Sequence, residues 1–183
     1  MMRKTAQRPS KDQYYLNIAR EVSKRATCMR AHFGCIIVKD DQIISTGYVG
    51  APRKTKDCLE RGNCLRQQLH IPSGQQYELC RSVHAEQNAI INAARAGVSL
   101  LGGNMYLYGV KIVDGKEYQT FAYPCFICKK MIINAGIKKF IGHNEQGEMI
   151  VHDVEQWALD WAESDMIDDK QKYTGSYIVP HTS

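Results

Sequence analysis

The chain has 183 residues, 44% of them hydrophobic and 23% charged, a balance that fits one globular domain with its own core and excludes a disordered chain. Its net charge of +5 favours anionic ligands such as nucleotides, but the basic residues are too few and too scattered to mark a nucleic-acid surface. No stretch approaches the roughly 18–20 apolar residues of a membrane span, and basic Met1–Lys11 lacks the apolar run of a secretory signal, so a soluble cytoplasmic protein is expected.

Ser10-Lys11-Asp12-Gln13 reads as a capping box, and Tyr15, Ile18, Ala19, Val22 and Ala26 then recur at helical spacing, giving a first helix to about Thr27. Phe33–Val38 and Ile43–Thr46 are two short strands around the polar turn Lys39–Gln42, together a hairpin. Val49–Ser82 is rich in Gly, Pro and charge. Its length argues for function or for something that pins it. Arg53, Lys54 and Lys56 there form the tightest basic cluster, read first as a solvated loop and second as a phosphate site.

A helix is expected over His84–Ala96 with Gly97 as its C-cap, then a strand over Asn104–Val110. Asp114-Gly115 is a hairpin turn, making 111–121 an inserted β-arm. Cys125–Ala135 reads as a helix ended by Gly136, and Ile137–Ile141 as a strand. Val154–Ser164 is a helix carrying Trp157 and Trp161 at i and i+4, and Tyr177–Val179 is a last short strand. Alternating strands and helices point to a three-layer α/β domain. The chain is read as one domain over 1–183, with a core of about 14–142 and a C-terminal helix and tail of about 152–183.

Two motifs carry chemistry: His84-Ala85-Glu86 and Pro124-Cys125-Phe126-Ile127-Cys128. Cysteines at i and i+3 project from one helix face. At a helix N-terminus the dipole favours their thiolate forms. Two thiolates and one imidazole suit tetrahedral zinc, and three protein ligands leave the fourth position open, as in catalytic sites. Water there has its pKa lowered to about 7. Glu86 stands beside that position as a proton carrier rather than a ligand. This ordered pair of motifs is the signature of the zinc deaminases. Either motif alone is weak; the conjunction, each opening a helix with a strand between them, is strong.

With these residues in place, the chain resembles the cytidine/deoxycytidylate deaminase superfamily, and its deoxycytidylate branch most. The resemblance runs from about Tyr14 to Ile141 and rests on Ser45–Pro52, His84–Ile90 and Pro124–Ile137. It implies a five-stranded mixed sheet between helices, and hydrolysis of dCMP to dUMP and ammonia by attack of activated water on C4 of the base. It places the base against Ala85, Tyr123 and Pro124, and the sugar and phosphate under the loop of Tyr48, Val49 and Gly50. It also implies a homo-oligomer, often a hexamer, activated by dCTP and inhibited by dTTP. Val49 departs from the family's usual Asn, whose amide can bond a sugar hydroxyl. Gly142 stands where an aromatic residue is common. Both departures lie on the substrate side of the site.

Cys28, Cys58, Cys64 and Cys80 flank or lie in the long irregular stretch and could close around a second, structural zinc; the alternative is four free thiols. Cys35, inside an apolar strand, reads as a core residue. His70, His143, His152 and His181 read as surface or satisfied histidines. Two functional alternatives stand beside dCMP deamination: the same chemistry on another nucleotide or nucleic-acid base, and a non-catalytic zinc or nucleotide sensor. Retention of Glu86 argues against the sensor, because binding alone needs no proton carrier.

Overall fold

The computed structural model describes residues 8–72 and 74–164. Helix α1 (Lys11–Ser23) starts at the expected cap: the Ser10 hydroxyl accepts from the Gln13 N–H at 3.2 Å. The Gln13 side chain bonds Asn17 instead of reaching back, so half of the capping box forms. The helix ends before Thr27, whose N–H donates instead to the Val49 carbonyl.

Strands β1 (Ala31–Lys39) and β2 (Gln42–Tyr48) make the expected hairpin. Asp40 and Asp41 turn it, both at positive φ, as a two-residue type I′ loop requires. The stretch after β2 is irregular but not loose. It holds two single-turn helices, α2 (Cys58–Arg61) and α3 (Leu65–Gln68), and a 3₁₀ turn over Tyr77–Leu79. Its ends are tied by paired hydrogen bonds between Gly50 and Val83. Two arginines stitch its interior: Arg66 donates to the Pro72 and Gln75 carbonyls, and Arg81 to Asn63.

Helix α4 (Ala85–Ala96) ends at Gly97 in the left-handed region, as expected. Strand β3 (Asn104–Val113) runs unbroken into the arm, and β4 (Lys116–Gln119) folds back on it through Asp114-Gly115. The arm is therefore an extension of β3 rather than a separate insertion. Helix α5 (Phe126–Asn134) crosses to β5 (Lys139–His143); β6 (Met149–Asp153) and α6 (Val154–Glu163) complete the described chain.

The sheet order is β2-β1-β3-β5-β6, with β4 attached to β3. Only β3 and β5 are parallel among these pairs, joined by the α5 crossover. The expected mixed sheet is therefore present, but its fifth core strand is β6. The strand expected over Tyr177–Val179 lies outside the described residues. On one face Tyr15, Leu16 and Ala19 of α1 cover Ile36, Val38, Tyr106 and Ile141. On the other, α4, α5 and α6 cover Cys35, Ile37, Met105, Leu107 and Phe140. Successive residues of β1 and β3 thus enter opposite cores, which is why their sequences read as continuous apolar runs. Cys35 is fully buried, as its sequence context implies.

Helix α4 is fastened to β2 more closely than hydrophobic contact alone allows. The Ser45 hydroxyl donates to the Ala89 carbonyl at 2.6 Å. The amides of Asn88 and Asn92, one turn apart, donate to the Tyr48 and Thr46 carbonyls at 2.8 Å. Gly47 makes the approach possible: a Cβ there would stand 2.3 Å from Ala89 N and 2.4 Å from Ala85 O. Gly47→Ala is therefore expected to lower stability by about 1–3 kcal/mol, the usual cost of overpacking, measured by urea denaturation against the parent chain.

Candidate active site

His84 immediately precedes α4, and Cys125 immediately precedes α5. The Gln87 side chain accepts from the His84 N–H at 3.1 Å, which fixes the start of α4. The two helix N-termini meet, so Cys125 Sγ lies 3.5 Å and Cys128 Sγ 3.4 Å from His84 Nδ1. Among the described residues, these three side chains are the one set whose ligand atoms all fall within 4.8 Å of one another. Zinc bonded at about 2.3 Å to sulfur and 2.0–2.1 Å to nitrogen in tetrahedral geometry puts N and S about 3.5 Å apart. The donor spacing and donor chemistry both fit that ion.

The electrostatics match. The Cys128 thiol bonds to Cys125 and, with His84 beside it, pulls the Cys125 pKa down to about 4. That makes a ready thiolate at the positive end of α5. Cys128 is pushed well above the ordinary thiol value by its bond to Cys125 and by burial. Burial opposes a charged His84, but the bond to Cys125 and the thiolate's charge turn the net shift upward. Glu86 is 4% exposed, and burial raises its pKa. A carboxyl so placed holds and releases a proton closer to neutrality than a solvated glutamate does.

His84, Glu86 and Cys125 open onto a cavity of about 540 Å³. Val49, Ala85 and Tyr123 line it. Tyr48 and Gly50 do not; they line a second cavity of about 740 Å³ beside Arg53, Lys54, Lys56 and Arg95. Pro124 is fully buried and lines neither described cavity. The loop expected over the sugar and phosphate is thus divided between two cavities. Val49 is buried, with its backbone bonded to Phe33 and Thr27, so the catalytic wall at this position is apolar. Gly142 is required by packing: a Cβ there would stand 2.1 Å from the Ala122 carbonyl, in the segment that delivers Cys125.

Cys28, Cys58, Cys64 and Cys80 all line the catalytic cavity, yet they are not drawn into a compact ligand set like that of His84. Arg66 and Tyr77 also line it, and the sequence reading did not single them out. Trp157 and Trp161 serve helix packing. The ammonium of Lys129, buried on α5 beside Cys128, lies 4.7 and 4.9 Å from their rings and 5.5 Å from Tyr123. This clamps α6 against the helix that carries Cys128.

His143 is buried and fully engaged. Its Nε2 accepts from the Gly109 N–H at 3.2 Å, leaving Nδ1–H to donate to the Asn144 carbonyl at 3.0 Å. A second proton would face an N–H donor, and burial already lowers the His143 pKa below its ordinary 6.5. The folded chain therefore binds fewer protons here than the unfolded chain. The stabilisation is complete above about pH 6.5 and is lost as pH falls from there through the lower folded pKa. Melting temperatures at pH 7.5 and 5.5 should show a drop in the parent that is smaller in His143→Gln.

Comparison with known proteins agrees with this geometry. The family model for the cytidine and deoxycytidylate deaminase zinc-binding region matches residues 9–144. The deoxycytidylate deaminase of Schizosaccharomyces pombe is 35% identical over 136 residues, 74% of this chain and 38% of that protein. That of Saccharomyces cerevisiae is 32% identical over 134 residues, covering 73% and 38%. The deoxycytidylate deaminase of Mycobacterium phage D29 is 31% identical over 139 residues, 73% of this chain and 94% of that one. The chain thus spans about two-fifths of the length of the two yeast relatives and nearly all of the phage one. The apo crystal structure of the dCMP deaminase from cyanophage S-TIM5 superposes with a TM-score of 0.54 at 26% identity, covering 75% of this chain and 86% of that one.

Proposed function

The chain belongs to the cytidine and deoxycytidylate deaminase family, and from that premise we propose that it hydrolyses dCMP to dUMP and ammonia. The observation that carries the reading is the convergence of His84 Nδ1, Cys125 Sγ and Cys128 Sγ beside the buried Glu86 carboxyl. When bound by those three side chains, zinc supplies Lewis acidity that makes water a usable nucleophile at neutral pH. Glu86 takes the proton from the water as its oxygen adds to C4 of the base. It then returns a proton to the departing amine, which leaves as ammonia. Ala85 and Tyr123 on the cavity wall hold the base against the site. Val49 presents an apolar surface to the sugar, which fits a deoxyribose.

The finer parts of this reading have separate support. Regulation by dCTP and dTTP is supported by the second cavity, where Arg53, Lys54, Lys56 and Arg95 offer positive charge suited to a polyphosphate. A homo-oligomer is supported by the arm: all four residues of β4 are exposed, and Val113 and Tyr118 are about half exposed. A reducing, cytoplasmic setting is supported by seven unpaired cysteines. No described helix is long and apolar enough to cross a membrane. We read residues 1–183 as one deaminase domain.

Deamination assays on dCMP, CMP, deoxycytidine, dCTP and a cytosine-containing oligonucleotide, with and without dCTP and dTTP as effectors, test the substrate. The highest kcat/KM is expected for dCMP, and a better substrate among the others would displace it. Glu86→Gln is expected to keep its zinc and lose turnover by at least about 10²-fold, the scale of a lost general acid–base. Undiminished turnover would remove Glu86 from the mechanism.

Cys28, Cys58, Cys64 and Cys80 are proposed to hold a structural zinc. Their support is that all four line one cavity, with Cys58 and Cys80 near enough to raise the Cys28 pKa further after burial has done so. Metal analysis of freshly purified protein should give two zinc ions per chain, falling to one in Cys58→Ser. One ion in the parent chain would exclude the second site.

A further inference from the structure

Zinc-binding histidines usually have their ring orientation fixed by a hydrogen bond from the other ring nitrogen to a carboxylate or carbonyl. Here, among the described residues, the hydrogen bonds of His84 involve its backbone and Nδ1, the nitrogen that faces the thiols. The ring is instead met by an aromatic. Tyr77 lies edge-to-face against it, with centroids 4.9 Å apart and planes at 89°.

Tyr77 sits on a one-turn 3₁₀ segment, which has little rigidity of its own. What holds it is Arg66. The guanidinium lies 5.0 Å from the Tyr77 ring centroid. Arg66 is 6% exposed, and its Nη2 donates to the Pro72 and Gln75 carbonyls at 2.6 Å each. These bonds hold Pro72 and Gln75, on the approach to Tyr77, against the guanidinium. Arg66 Nε is buried with no hydrogen-bond partner, so hydrogen bonding uses only part of the guanidinium. Both carbonyls accept from the single nitrogen Nη2, so the feature specific to arginine is the planar face it turns to the Tyr77 ring.

We propose that Arg66 is a positioning residue for the zinc centre, acting through Tyr77 to hold the His84 imidazole in its metal-binding orientation. The stack runs from guanidinium to phenol ring to imidazole, with each contact within about 5 Å. It makes the irregular 65–80 segment part of the metal site's support, although that segment supplies none of the three ligands. The inference rests on His84, Cys125 and Cys128 as ligands. It does not depend on which nucleotide is deaminated.

The test is release of zinc from the full-length, metal-loaded protein to a colorimetric chelator. The phase missing in Cys125→Ser identifies the catalytic ion. Tyr77→Leu and Arg66→Met should each accelerate that phase by roughly 10–100-fold, the range over which outer-shell partners act. Tyr77→Phe, which keeps the ring, should release zinc at the parent rate. The double variant Arg66→Met/Tyr77→Leu should be no faster than the quicker single, because both remove the same support. A parent-like rate in Tyr77→Leu, or multiplicative effects in the double variant, would overturn the proposal. Should Arg66→Met fail to fold by circular dichroism, Arg66→Lys replaces it: faster release supports the role of the planar guanidinium face, and an unchanged rate refutes it. Failure of these outcomes with dCMP turnover intact would reject the positioning role alone; failure of dCMP turnover with them intact would reject the substrate alone.

Discussion

Two helix N-termini converge on one point, and almost everything else in the molecule follows from holding them there. Each terminus carries unsatisfied N–H groups and a positive dipole end. Cys125 and Cys128 put sulfur against one of them, and His84 brings a nitrogen from the other. The sheet is the frame that makes this convergence rigid. Helix α4 is bonded to β2 through Ser45, Asn88 and Asn92, and α5 is the crossover between β3 and β5. Displacing either helix by an ångström would spoil a ligand geometry that tolerates only a few tenths. Glycines therefore stand at the closest approaches. Gly47 admits α4, and Gly142 admits the Ala122 carbonyl on the way to Cys125.

The loop after β2 faces two ways. Val49 turns into the catalytic cavity, while Tyr48 and Gly50 turn into the cavity walled by basic side chains. Neighbouring residues of one extended segment point to opposite sides, so a single strand end serves two compartments. A ligand pressing on Tyr48 would bear on the same backbone that presents Val49. Adjacent residues of one segment thus line both cavities.

Much of this was legible in the sequence. The ligands and Glu86 could be read because metal chemistry restricts residue types and spacing severely, and because each motif opens a helix. The hairpin of β1 and β2 and the helices α1, α4 and α5 could be read from periodicity and caps. Strand β6 could not. Met149–Asp153 is an edge strand with alternate residues half exposed, and it exists through antiparallel pairing with β5. Only the turn at Gly147 hints at it locally. The roles of Arg66, Tyr77 and His143 were equally hidden. Each depends on contacts between segments distant in sequence or on backbone carbonyls in an irregular stretch, which leave no period to detect. The divided fate of Tyr48, Val49 and Gly50 was missed because a family motif says which residues gather near a site, not which way each one faces.

His84 is separated from Cys125 and Cys128 by 41 and 44 positions. An ion gripped by all three is therefore a cross-link that closes a long loop of chain containing α4, β3 and the arm. Closing such a loop removes conformational freedom from the unfolded chain, by the same reasoning that applies to a disulfide of similar span. The metal is then a staple as well as a reagent, and the chain's resistance to unfolding depends on free zinc in its surroundings. A cell that starves this protein of zinc would lose molecules to proteolysis in addition to idling their chemistry. Abundance and activity would then fall together as a single response to one nutrient.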